Sequence, residues 1–345
     1  MTDSSPAMAD LLMTELFMKE AMTAVGVGAF QHTPVLAEDV IAYLACRSGG
    51  RYVDGTVGGG GHASAILEAS APDGILLGID RDPQALRSAA RRLTPYGERI
   101  TLVRGNYAQM DELARSVGWT YADGIVLDLG VSSPQLDIPG RGFSYQHEAP
   151  LDMRMDPTIK QTAADLVNQA SAAELIRILR EYGEERWASR ISRFIVEARR
   201  REPIVTTMQL VDIIKAAVPA SSRREGGHPA RRTFQALRIA VNDELRSLEK
   251  GLAAAWRLLT PGGRLVVISF HSLEDRIVKQ FFQQKAAGCI CPPDLPVCTC
   301  GRHPELRLLT RRAVIRLEME IQANPRARSA KLRAALKVMS AEGEE

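Results

Sequence analysis

Hydrophobic positions along the chain follow two different periods. From residue 50 onward, short aliphatic or β-branched runs recur at "RYVD" (51–54), "GILLGID" (74–80), "ITLVRG" (100–105) and "GIVLDLG" (124–130). Amphipathic stretches separate them, which is the βαβα signature of a parallel, doubly wound sheet. The strand signal stops near Pro139, and from Thr162 to Val218 the spacing is helical. There Ser171 and Glu174 read as a capping box ahead of Leu175, Ile178, Leu179 and Tyr182 on one face. A second helix is expected to carry Ile191, Phe194, Ile195 and Ala198. Strand signals return at "GRLVVISF" (263–270), after the turn Thr260-Pro261-Gly262-Gly263, and at "AVIRLEMEI" (313–321). The pattern predicts an α/β core made of residues 31–138 and 240–340, interrupted by a helical insertion at 139–239 and preceded by an N-terminal extension at 1–30.

Composition narrows the classes. With 345 residues and 45% hydrophobic content, the chain has the make-up of a globular protein with a core. No run reaches the roughly 18 apolar residues of a membrane span, and a cytoplasmic protein with no membrane association is expected. Of the 44 basic residues 36 are arginine, the side chain suited to planar, bidentate partners such as phosphate. Between Arg177 and Arg246 there are 15 basic and 9 acidic residues, so the surplus sits in the insertion and favours a phosphate-facing surface there. Four of the five cysteines, Cys289, Cys291, Cys298 and Cys300, cluster near the C-terminus. Two readings stay open for them: a structural zinc, or reduced thiols able to form a conditional disulfide. No catalytic metal is expected.

The stretch "DGTVGGGGHA" (54–63) ends a strand in glycines and opens a helix. That arrangement brings backbone N–H groups to a ligand with no Cβ in the way, and predicts a nucleotide-like cofactor. Gly58-x-Gly60-x-x-Ala63 satisfies a dinucleotide fingerprint, with Asp80 at the next strand end available to ribose hydroxyls. On that fingerprint alone a dinucleotide-dependent oxidoreductase is one reading. The pattern Asp54-x-Thr56-x-Gly58-x-Gly60, however, resembles the acidic-start motif of class I methyltransferases, which use S-adenosylmethionine. In those enzymes the acidic residue and the loop face the methionine end of the cofactor, and Asn106 and Tyr107 of "GNYAQM" would flank the adenine.

At "DLGVSSPQLD" (128–137) the resemblance becomes specific. Together with "HTPVL", "DGTVGGGGHA", "GIDRDPQAL", "GFSYQHEAPLDMRMD", "RRTFQALRIAVNDEL", "ISFHSLEDRIVKQFF" and "NPRARSAKLRA", it is similar to the MraW or RsmH family of bacterial 16S ribosomal RNA cytosine-N4 methyltransferases. The likeness spans about residues 31–336. It implies a class I, Rossmann-like methyltransferase core with an inserted helical domain. It further implies methyl transfer from S-adenosylmethionine to the exocyclic N4 amine of a cytidine in the decoding region of 16S rRNA, within the small ribosomal subunit. The family's cofactor positions map onto Gly60, Gly61, His62, Asp80, Tyr107, Asp128 and Gln135.

The amine of cytosine is a weak nucleophile, because its lone pair is delocalised into the ring. Orientation and accepted hydrogen bonds must therefore supply the catalysis. Amino-methyltransferases resemble one another in a polar-Pro-Pro-aromatic motif after the fourth strand. Here Ser133-Pro134-Gln135-Leu136 retains the polar residue and the first proline and lacks the stacking aromatic. Phe143, Tyr145 and Phe270 are the chemical candidates to hold the base. Asp128, Ser133 and Asp152 are the candidate proton acceptors, and Ser133 and Asp152 are taken as the catalytic pair. Against this, Asp152 and Asp156 can simply pair with Arg154, Ser133 can cap a turn and His62 can be a helix-start residue, while His271 either lines the cleft or is structural. A non-catalytic RNA-binding or ribosome-assembly factor on a methyltransferase fold is the competing function.

Overall fold

The structure, a computed structural model, describes residues 34–131, 135, 139–223, 227–288, 291, 297, 300–315 and 328–338. The expected N-terminal extension, Ser133, Cys289 and Cys298 lie outside the described residues. The chain divides into two compact units, residues 1–130 with 247–345, and residues 131–246.

The first unit is built on one sheet. Strands β1 (Arg51–Asp54), β2 (Ile75–Asp80), β3 (Ile100–Arg104), β4 (Ala122–Asp128) and β5 (Leu259–Ser269) are parallel. Beyond them β6 (Leu306–Leu308), β7 (Val314–Ile315) and β8 (Lys331–Lys337) complete the order β3-β2-β1-β4-β5-β8-β6, with β7 also on β8. Strand β8 runs antiparallel to β5. The sheet is therefore mixed, where the sequence pattern predicts a parallel one. Both faces are covered, because successive strand residues point to opposite sides. Val53, Leu77, Ile125, Leu127 and Val267 pack with Met110, Leu252 and Phe282 on one face. Tyr52, Leu76, Val126, Val266 and Ile268 pack with Val40, Ile66 and Leu93 on the other. A strand buried on both sides reads as a continuous apolar run, which is why β2, β4 and β5 are visible in the sequence.

The chain leaves β1 outward to β2 and β3, then returns to place β4 on the other side of β1. This reversal is the switch point at which open α/β sheets form a crevice at the carboxyl ends of their strands. Asp54, Asp80 and Asp128 are the last residues of β1, β2 and β4.

In the second unit, helices Ala163–Gln169, Ala172–Glu181, Ala188–Arg199, Thr207–Ala217 and Arg231–Asn242 surround Leu175, Ile178, Leu179, Ile191, Ile195, Leu210, Ile214, Phe234 and Leu237. Thr162 with Asp165, and Thr206 with Gln209, form reciprocal capping boxes. Ser171 accepts from the Glu174 N–H, which is half of the box expected there. The unit extends past the expected 139–239 span at both ends. Val131 packs against its core, and Asn242 accepts from Met155 N at 2.8 Å while donating to Met153 O at 2.7 Å.

Candidate active site

The loop after β1 is stitched to the neighbouring strand ends. Gly55 N donates to Val126 O at 3.0 Å, and Val57 N donates to Ile79 O at 2.9 Å. Thr56 serves two carboxylate-bearing residues: its N–H donates to Asp54 Oδ1 at 3.1 Å, and its hydroxyl accepts from Asp128 N at 2.7 Å. Asp80 accepts Gly58 N–H and Asp82 N–H, both at 2.9 Å. The carboxylates of Asp54 and Asp80 are thus fixed by backbone N–H groups, and the backbone of Asp128 is tied to the same loop through Thr56.

The glycines answer first to the fold. Gly58 and Gly60 have φ of +52° and +80°, where side chains are strained. A Cβ on Gly55 would stand 2.5 Å from Leu127, and one on Gly61 would stand 3.1 Å from Pro34. Only then does the run serve a ligand, by leaving the helix Gly61–Ala69 to open directly on the crevice.

The electrostatics point to a cationic or hydroxyl-bearing occupant. Asp54 is 1% exposed, and burial pushes its carboxyl up to about 7 despite the opposing field of His62 and the Thr56 N–H. Burial likewise raises Asp80 to about 6, partly offset by the two N–H groups it accepts. Among the described residues nothing hydrogen-bonds Asp54 Oδ2 or Asp128 Oδ1, although both atoms are buried. His62, buried on the first turn of its helix, holds Nε2 3.4 Å from Asp128 Oδ2. A buried acceptor without a donor costs about 1–3 kcal/mol, which a ligand offering N–H or O–H groups would recover.

Residues 29–338 match the MraW methylase family. The chain belongs to that family. It is 60% identical over 314 residues to ribosomal RNA small subunit methyltransferase H of Symbiobacterium thermophilum, covering 91% of this chain and 99% of the relative. The protein of the same name from Geotalea daltonii is 59% identical over 309 residues, at 90% and 99% coverage. A solved rRNA methylase from Streptococcus thermophilus superposes with a TM-score of 0.40 at 11% identity, over 90% of this chain and 100% of its own, a likeness too loose to add to the family match. The mixed α/β sheet with helices on both faces is a class I, Rossmann-like methyltransferase core.

Of the positions expected to hold the cofactor, Asp80, Asp128, Gly60, Gly61 and His62 lie at or beside these strand ends. Tyr107 is a core residue, 9% exposed, with Cδ2 only 2.4 Å from where a Cβ on Gly251 would sit, so that glycine admits the ring. Asn106 caps the following turn through Ala108 N and donates to Ser247 Oγ at 3.2 Å. Gln135 is buried and belongs to the second unit. Thr56 is the residue whose role the sequence did not disclose; the Asp-x-Thr spacing was its signal.

Of the catalytic candidates, Asp152 makes the pair with Arg154 that its spacing also allowed. Arg154 donates Nε to Asp152 Oδ1 and Nη2 to Oδ2, both at 2.8 Å, and its N–H to Oδ1 at 3.0 Å. Burial alone would raise the Asp152 carboxyl, but Arg154 outweighs it and holds it below the usual range. His271 is the N-cap of helix Ser272–Ala286, in a capping box with Glu274. Phe143 is buried in the second unit's core, Tyr145 stacks on His228 with centroids 4.6 Å apart, and Phe270 packs in the first unit. Arg199, part of the basic surplus, spends Nη1 on the carbonyls of Val167 and Ala170.

Proposed function

We propose that the protein transfers a methyl group from S-adenosylmethionine to the exocyclic N4 amine of a specific cytidine in the decoding region of 16S rRNA, within the small ribosomal subunit. The observation that carries this reading is the row Asp54, Asp80 and Asp128 on adjacent strand ends, two of them with a buried oxygen lacking a donor. Such a row fits a cofactor bearing an ammonium group and ribose hydroxyls, and it would repel the pyrophosphate of a dinucleotide, which disfavours a dinucleotide-dependent oxidoreductase. The relatives' name, small-subunit rRNA methyltransferase, supports the substrate.

When bound, the cofactor supplies an electrophilic methyl carbon. The chain's residues bind and orient. Asp54 would accept from the ammonium group and Asp80 from ribose hydroxyls while holding the Gly58 and Asp82 N–H groups, with His62 Nε2 lying 3.4 Å from Asp128 Oδ2. Asp128 Oδ1 is the free acceptor at this edge, and we assign it the hydrogen bond that steadies an amine as it becomes cationic. Ser133, outside the described residues, is kept as a polar group that orients the amine. The bidentate pair with Arg154 favours a structural latch for Asp152 over proton acceptance. Mass spectrometry of small-subunit rRNA nucleosides from cells with and without the gene tests the reading: loss of one N4-methylated cytidine is expected, and an unchanged nucleoside profile rejects it.

A further inference from the structure

Helix Ala188–Arg199 buries Ala188, Ile191, Ser192 and Ile195, so its opposite side is free for another use. That side carries three arginines and one carboxylate, the exposed Glu197, for a net positive charge. Arg186, Arg190 and Arg193 are exposed and recur at four- and three-residue spacing, on one flank of the helix and its entry. Each guanidinium lies against a ring: Arg186 is 5.5 Å from the Trp187 centroid, and Arg190 and Arg193 are both 5.6 Å from that of Phe194. The rings are themselves half-buried, which anchors them to the unit's core.

Other arginines nearby are occupied. Arg177 pairs with Glu181 at 2.8 Å, Arg180 donates to Ser189 Oγ, and Arg199 caps backbone carbonyls. Among the described residues no carboxylate pairs with Arg186, Arg190 or Arg193. Three like charges without ion-pair partners on one flank repel one another, and an anion bound among them would relieve that repulsion. A ring contact contributes only about 0.5–1 kcal/mol at an exposed site, enough to pre-order a guanidinium and too little to neutralise it.

We propose that Arg186, Arg190 and Arg193 form a sequence-independent docking surface for the phosphate backbone of single-stranded RNA, with Trp187 and Phe194 as positioning rings. The proposal deepens the RNA-methyltransferase reading and rests on it for the choice of RNA over other polyanions. Guanidiniums offer bidentate geometry to phosphate oxygens, and contacts to backbone fix register without reading bases.

The test uses the full chain and a short labelled oligocytidylate, with dissociation constants measured over a range of salt concentrations. Replacing all three arginines by glutamine should weaken binding by about 10-fold or more near 0.1 M salt and reduce the log–log salt slope by about two units, since each single-strand contact contributes roughly 0.7. Arg193→Gln alone should reduce it by about 0.7. Phe194→Leu should weaken binding about threefold with the slope unchanged, because it removes pre-ordering and no charge. S-adenosylmethionine affinity should stay the same in all three. An unaltered slope in a folded triple variant overturns the proposal, and so does loss of polyglutamate binding with RNA binding intact, which would assign the stripe to an acidic protein. Methylation by the wild-type enzyme is a separate readout: a reduced slope without any methylation rejects the proposed function and leaves the surface standing.

Discussion

The Asp54 carboxyl is buried, and that burial raises it to about 7. A carboxyl that is partly protonated in the empty site must ionise to accept an ammonium group, so binding should expel a proton. Calorimetry of S-adenosylmethionine binding at about pH 6.5, in two buffers of different ionisation enthalpy, should reveal net proton release. Asp54→Asn should abolish that release and weaken binding about 10-fold or more; zero release in the wild type would detach Asp54 from the cofactor. Asp80 differs, because its oxygens already hold Gly58 N and Asp82 N. Asp80→Ala should therefore reduce cofactor affinity by about 1–3 kcal/mol and lower the melting temperature as well. An affinity loss with unaltered stability would mean that the two backbone hydrogen bonds carry no weight.

At the scale of elements, the segment around Asp152 shows what a latch does. Arg154 binds Asp152 on one side and, through Nη1, the carbonyls of Pro157 and Ile159 on the other, while Met153 is held at φ +61°. Asp152→Asn should cost about 1 kcal/mol after solvent screening, a melting shift of about 2–3 °C, with the single-turnover rate within about threefold of wild type. A rate loss of about 100-fold at normal stability would restore Asp152 as a catalytic group. Much of the element order was legible: β1 to β5 match their apolar runs, and Asp54, Asp80 and Asp128 end strands where expected. Strand β8 was not legible, because "KLRAALK" is made of helix-forming residues and only pairing with β5 makes it a strand. Neither was the Asp152 pair decidable, since Asp-x-Arg spacing fits a latch as well as an acid beside a cation. The glycine run was legible as a loop between a strand and a helix, whereas its packing against Leu127 and Pro34 depends on residues distant in sequence.

For the whole molecule, the carboxylates divide into two groups with opposite effects on stability. Asp54 and Asp80 are raised, so the folded state binds more protons than the unfolded chain between about pH 4 and pH 7, and stability declines as pH rises through that window. Asp111, Asp152 and Asp275 are buried enough to be pushed up, yet Arg257, Arg154 and Arg333 respectively hold them below the usual range. Their contribution is present above about pH 4 and is lost as pH falls further. On these five carboxylates alone the cofactor-free protein should be most stable near pH 4, well on the acid side of neutrality. Saturating S-adenosylmethionine should move that maximum toward neutral pH, because an ammonium group beside Asp54 favours its ionised form and removes the main reason for the decline. Melting curves of the free and saturated protein across pH 4–8 decide this: coincident maxima would show that the buried carboxylates at the strand ends do not meet the cofactor's charge, whatever their effect on the empty fold.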